Sequence, residues 1–274
     1  MKPNVTLGYL PGAVCCEVVG HAALRLAPDA LAVWRGQLSA RTGGRLTPSF
    51  VKHADDQTVA ALAGVLQAMD DFGLRPGAMN DWGVLAAPRY LGRVALAQTM
   101  LRFAAEGAWG LSPHMIPHRS LHSVSGTVSQ ALNFQGFNLG VGGGLHAASE
   151  ALLLAGAILA ENRLPGLWVT LTGFDPEVVP TAGGREARPC DCCAVALALN
   201  AARDEPAGWR LCVNAAPAAL ASDGRPEGAP NPLRVETLLA DLVAEPARTR
   251  CSFTLGAGGW LQLDRSRAKT RNVC

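Results

Sequence analysis

Charge and aromatic residues are scarce in this sequence. Charged residues make up 17% and aromatics 5% of the 274 residues. The 24 basic and 22 acidic side chains nearly cancel, leaving a net charge of +2, and no basic run stands out. That excludes a binder driven by phosphate contacts along a nucleic acid. Long hydrophobic runs are missing as well. The longest, residues 147–160, is interrupted near its start by Ser149 and Glu150, and a membrane-spanning helix needs ~20 apolar residues. Met1-Lys2-Pro3-Asn4 is not a charged segment leading into an apolar one. No secretion signal is therefore expected, and a cytoplasmic location is the default.

What is present is a core. Hydrophobic residues reach 49%, enough to fold and too many for disorder. The eight cysteines, without a secretion signal, are expected as reduced thiols. Cys190-Asp191-Cys192-Cys193 is their one cluster. Its spacing fits no common zinc pattern, so it reads as small residues entering a buried strand at 192–199.

Short apolar strands alternate with amphipathic helices. Strands are expected at 5–7, 82–87, 137–141, 167–172, 192–199 and 209–215, with two more pieces in 251–263. Helices are expected at 29–37, 56–72, 93–106, 125–134, 146–162 and 233–244. In the helix at 56–72, Val59, Leu62, Ala63, Leu66 and Met69 recur at helical spacing, with Asp55 or Asp56 as cap and Gly73 as stop. Residues 216–232, rich in Ala, Pro, Gly and Asp, read as a linker. Strands separated by helices imply a mixed or parallel sheet covered on both faces.

Two segments carry candidate chemistry. In the first, a strand runs through Gly142, Gly143 and Gly144 into an apolar helix. Such a turn sits at the positive end of the helix and suits a nucleophile or an oxyanion. Here the turn offers only Leu145 and His146. His146 and Glu150, four residues apart, are a conceivable catalytic pair, with a structural pairing as the plainer reading. The glycines match neither a dinucleotide fingerprint nor a phosphate-binding loop, so no cofactor is expected. In the second segment, His114, His118 and His122 recur every fourth residue. On one helix they would share a face, but Pro113 and Pro117 argue against that helix, and no metal is expected. Asp175-Pro176-Glu177 reads as an exposed turn.

The order Ser112-Pro113, Ile116-Pro117, Ser125-Gly126-Thr127-Val128-Ser129 and Gly136-Phe137-Asn138-Leu139 resembles the β-ketoacyl synthase pattern upstream of the active site. The Ala-rich helix after Leu145 resembles that family's nucleophile helix. Gly256-Ala257-Gly258-Gly259 resembles its terminal glycine loop. The resemblance implies a thiolase-like α/β fold of αβαβα layers, its N-terminal half complete and its C-terminal half strongly reduced. It implies one domain over 1–274: a first half to about 215, a linker at 216–232 and a reduced remainder at 233–274.

The departures decide the expected role. Leu145 falls on the position of the catalytic cysteine, no histidine follows His146, and Ala257 stands where the family has a gating phenylalanine. Condensation needs a thiolate and histidines, so none is expected. The chain resembles the subunits called chain-length factors. That resemblance implies a partner, an active β-ketoacyl synthase whose acyl tunnel this chain shapes, in polyketide, polyene or fatty-acid-like biosynthesis. An acyl carrier protein would be met through that partner. The expected tunnel or interface residues are His114, His118, His122, Phe137, Asn138, Leu139, Val141, Gly142, Gly143, Gly144, Leu145 and Ala257. The alternatives are an independent acyl-thioester hydrolase, transferase or decarboxylase using His146 and Glu150, or a carrier-binding scaffold meeting acidic helices through Arg89, Arg93 and Arg102.

Overall fold

The computed structural model describes residues 13–111, 115–161, 164–181, 184–185, 190–201, 209–214, 233–243, 250–255 and 259–265. The chain opens with β1 (Ala13–Leu26), α1 (Pro28–Arg41), α2 (Pro48–His53) and α3 (Asp56–Phe72). Then follow β2 (Gly83–Pro88), α4 (Arg93–Glu106), α5 (Met115–Arg119), α6 (Leu121–Leu132), β3 (Asn138–Gly140) and α7 (Ala147–Ala160). β4 (Leu167–Asp175), the short hairpin β5 (Pro180–Thr181) and β6 (Gly184–Arg185), and β7 (Asp191–Ala201) complete the first part. β8 (Trp209–Asn214), α8 (Val235–Val243), β9 (Arg250–Thr254) and β10 (Trp260–Arg265) form the rest.

Eight strands make one sheet in the order β3-β2-β4-β7-β1-β8-β10-β9. β2 runs parallel to β3 and β4, while β7 is antiparallel to both of its neighbours, β4 and β1. Counted along the chain, the first five strands of the sheet stand in the order 3-2-4-5-1, the fifth antiparallel. The reduced C-terminal part builds no sheet of its own among the described residues. Its strands extend the same sheet beyond β1, and α8 packs against β1 and β7.

The sheet is buried on both faces, which explains its near-continuous apolar strands. One face holds α7 and α8 around Leu152, Leu171, Val195 and Leu238. The other holds α1, α3 and α6 around Leu62, Val65, Trp168 and Val128. α7 lies close to the sheet because its inward residues are small: Ala147, Ala148, Ala151, Ala155 and Gly156. α3 starts where the Asp55 carboxylate accepts the Gln57 N–H at 2.9 Å, and it ends at left-handed Gly73.

Three expectations need correction. The first long strand is β1 at Ala13–Leu26, where none was expected; the strand expected at 5–7 lies outside the described residues, as do the linker and Ala257. Cys15 and Cys212, directly opposite each other on β1 and β8, form a disulfide, so this pair is not reduced. Asp175-Pro176-Glu177 is not a free turn: Asp175 pairs with Arg25 at 2.8 Å and Glu177 with Arg89 at 2.7 Å.

Candidate functional site

The candidate site lies at the end of the sheet where β2, β3 and β4 finish. β3 is an edge strand, paired on one side only, with β2. Its backbone sits against α6 so tightly that a Cβ on Gly140 would lie 2.3 Å from the Leu121 carbonyl. Only glycine allows that approach. Beyond β3, Val141 donates its N–H to Ala86 O at 2.8 Å. Gly142 and Gly143 then take positive φ values of 73° and 102° and turn the chain into α7.

The structure thus brings the expected residues of 137–146 into one turn. Phe137, Leu139 and Leu145 are each about 40% exposed, and His146 and Glu150 are exposed beside them. Glu150 donates its backbone N–H to His146 O at 3.0 Å, but no side-chain hydrogen bond joins the two among the described residues. The histidine run does not converge. His118 packs at a tilt against Phe50 with ring centroids 4.9 Å apart, whereas exposed His122 lies beside Gly126. His114 lies outside the described residues.

The buried thiols offer no replacement nucleophile. Burial pushes the Cys16 thiol to about 12 and the Cys193 thiol to about 11, and raises Cys192 well above its ordinary value. A protonated thiol is inert as a nucleophile.

Behind the turn lies a polar cluster that the sequence does not announce. Arg89, one residue beyond β2, is buried, which removes it from the exposed arginines expected to meet a carrier. Its Nε donates to Glu177 at 2.7 Å, its Nη1 donates to Glu236 on α8 at 3.0 Å, and its Nη2 donates to Glu236 and to Phe174 O. Its carbonyl accepts from Gln57, and Gln57 in turn accepts from Thr172, both at 2.9 Å. Burial holds the Glu177 carboxyl above its ordinary value even with Arg89 opposing. Nearby, a cavity of about 190 Å³ is lined by Asp55, Arg93, Arg119 and Glu177 among others. Its carboxylates are paired within the protein: Asp55 with Arg119, Asp56 with Arg35, and Glu177 with Arg89.

The exposed apolar surface of α4 is the second feature the sequence does not show. No residue of this helix is buried. Met100 is 61% exposed, and Trp109, in the short 3-10 turn that follows, is 98% exposed. The spacing of Leu96, Met100 and Phe103 is visible in the sequence, but a core stripe has the same spacing.

Neither a protein-family model nor a curated protein matches the chain. Solved structures do. A ketosynthase, ApeO, in complex with its chain length factor, ApeC, from Xenorhabdus doucetiae aligns at a TM-score of 0.55 and 11% identity. The alignment covers 92% of this chain and 100% of that one. The ishigamide ketosynthase/chain length factor aligns at 0.52 and 14%, over 92% of this chain and 99% of that one. The chain has a ketosynthase-type, thiolase-like fold. A structure of the AntDE:AntF complex, a type II polyketide ketosynthase with its acyl-carrier protein, matches at 0.48 and 11% over 69% of this chain. Of that relative the chain spans only 63% of the length. No helix among the described residues is long and apolar enough to cross a membrane.

Proposed function

We propose that this chain is a non-catalytic, ketosynthase-like subunit of the chain-length-factor type. It pairs with an active β-ketoacyl synthase and shapes that enzyme's acyl tunnel, in polyketide, polyene or fatty-acid-like biosynthesis. An acyl carrier protein meets the pair through the synthase.

One observation carries the pairing. Of the thirteen large hydrophobic side chains exposed among the described residues, nine lie between Leu96 and Leu145. They include Phe137 and Leu139 flanking and on the free edge strand and Met100 and Phe103 on α4. Large apolar side chains left exposed on and beside an edge strand favour a partner there, and a free strand edge is a template for another strand. Three residues of β3 cannot supply the roughly 800 Å² per partner of a stable interface. α4, with no buried residue, offers further apolar surface. Leu145 at the nucleophile position supports the absence of condensation, since a leucine side chain cannot attack a thioester.

The test is co-expression with the β-ketoacyl synthase encoded nearest on the same genome, followed by size-exclusion mass measurement. A one-to-one complex is expected. Leu139→Glu should abolish it while leaving the lone chain's melting temperature within about 2 °C, because the residue is 40% exposed on the edge strand. A stable monomer that ignores the synthase overturns the reading.

A further inference from the structure

The segment that continues β2 makes two kinds of contact within two residues. Arg89 reaches inward to α8 through Glu236, while the N–H of Tyr90 donates to Gly143 O at 2.8 Å, in the turn that carries Leu145. Tyr90 has φ of 53°, a left-handed conformation that a residue with a side chain rarely holds without help. Its own carbonyl accepts the Arg93 N–H at 3.1 Å, and the Arg93 guanidinium lies 4.8 Å from the centre of its ring. Tyr90 therefore fixes both the start of α4 and the glycine turn. What holds Tyr90 is its neighbour. Arg89 donates its N–H to Thr172 O at 2.8 Å, its carbonyl accepts from Gln57, and its guanidinium is tied by Glu177 and Glu236.

These anchors differ in one respect. Thr172, Gln57 and Glu177 belong to β4, α3 and the chain just beyond β4, whereas Glu236 comes from α8, 147 residues away from Arg89 in sequence. We propose that Glu236 is a positioning residue: from α8 it fixes Arg89, and so the left-handed Tyr90, the Gly143 turn and the start of α4. The element that switches is the backbone of Tyr90, which relaxes to an extended conformation when Arg89 is released. The C-terminal part thereby sets the shape of the exposed apolar surface. The consequence for partner binding rests on the pairing proposed above; the coupling within the chain does not.

Native-state hydrogen exchange on the full-length chain alone tests the coupling. Glu236→Ala, and more mildly Glu236→Gln, should speed exchange of the Tyr90 amide and of residues 142–147 at least tenfold. Leu238→Ala gives the control. It loosens α8 at a fully buried position on the same helix without removing the carboxylate. If it leaves these amides slow while Glu236→Ala speeds them, the positioning role stands. Unchanged exchange in Glu236→Ala overturns it, and so does equal acceleration by Leu238→Ala, which would reduce Glu236 to helix packing. Affinity for the co-expressed synthase is read separately, and a weakening of tenfold is expected for Glu236→Ala. If the amides respond but no synthase binds, the pairing reading fails and the coupling survives.

Discussion

Replacing Arg89 by methionine should be among the most damaging single changes outside the apolar core. The guanidinium is 8% exposed, and the carboxylates it faces are 25% exposed at Glu177 and 17% at Glu236. Methionine fills most of the volume but leaves two largely buried carboxylates without their cation. Breaking a buried ion pair from one side costs about 3–5 kcal/mol, because the remaining charge stays desolvated. Unfolding entropy near 2.1 cal/mol/K per residue gives about 0.6 kcal/mol/K for a chain of this length, so the melting temperature should fall by about 5–9 °C. Differential scanning calorimetry and urea unfolding at pH 7 read this directly. The triple variant Arg89→Met, Glu177→Gln, Glu236→Met removes the stranded charges and should recover most of the loss, since whole buried ion clusters can be exchanged for neutral groups at little cost. A shift below about 2 °C for Arg89→Met, or a triple variant no more stable than the single one, refutes the claim that the triad is desolvated.

Two further outcomes follow from the same end of the sheet. Gly140→Ala drives a Cβ into the Leu121 backbone, and overpacking of this kind costs about 1–3 kcal/mol; the urea midpoint should drop, and an unchanged midpoint would mean that β3 is not clamped to α6. Burial raises the Asp55 carboxyl from its ordinary value of 3.8, with Arg119 opposing. The native state therefore binds that proton more tightly than the unfolded chain. Its contribution to stability is fullest below the ordinary value and falls as pH rises from there through the raised one. Asp55→Asn keeps a side chain that can cap α3 and should flatten that fall in urea titrations carried upward from the ordinary value of 3.8; an unaltered slope would contradict the upward shift.

Much of the fold is legible in the sequence where one period dominates. α3 shows because its apolar residues recur at helical spacing between a capping aspartate and a stop glycine, and the structure starts and ends it at those residues. β4 and β7 show as short apolar runs. β1 does not. It is a central strand between β7 and β8, buried in part on both faces, so it lacks the alternation that marks a half-buried strand. Glu17, His21 and Arg25 break its apolar run further, and its register shifts between Val18 and Gly20. The turn at 142–146 is legible because three consecutive glycines before a helix have few other uses. Arg89 is not. Its partner on α8 is 147 residues away, and nothing local separates an arginine bound for an interior carboxylate from one bound for solvent.

The placement of the polar groups bears on the role proposed for this chain. A catalytic turn needs ionisable side chains free to exchange protons with a substrate, held within hydrogen-bonding reach of the reacting atoms. At the turn itself stands Leu145, exposed and inert. Beside it His146 and Glu150 are exposed, with no side-chain hydrogen bond between them among the described residues. A second ionisable cluster lies behind, and its Arg89 guanidinium nitrogens are each committed: Nε to Glu177, Nη1 to Glu236, Nη2 to Glu236 and Phe174 O. Arginine does not give up its proton in a protein, and both carboxylates are tied to it as ion pairs. Such a cluster holds a shape. Holding Tyr90 and the glycine turn rigid under an apolar surface suits the subunit role proposed above, and the inferred tie from α8 to Arg89 would give the C-terminal part, which has no histidine, a use in it.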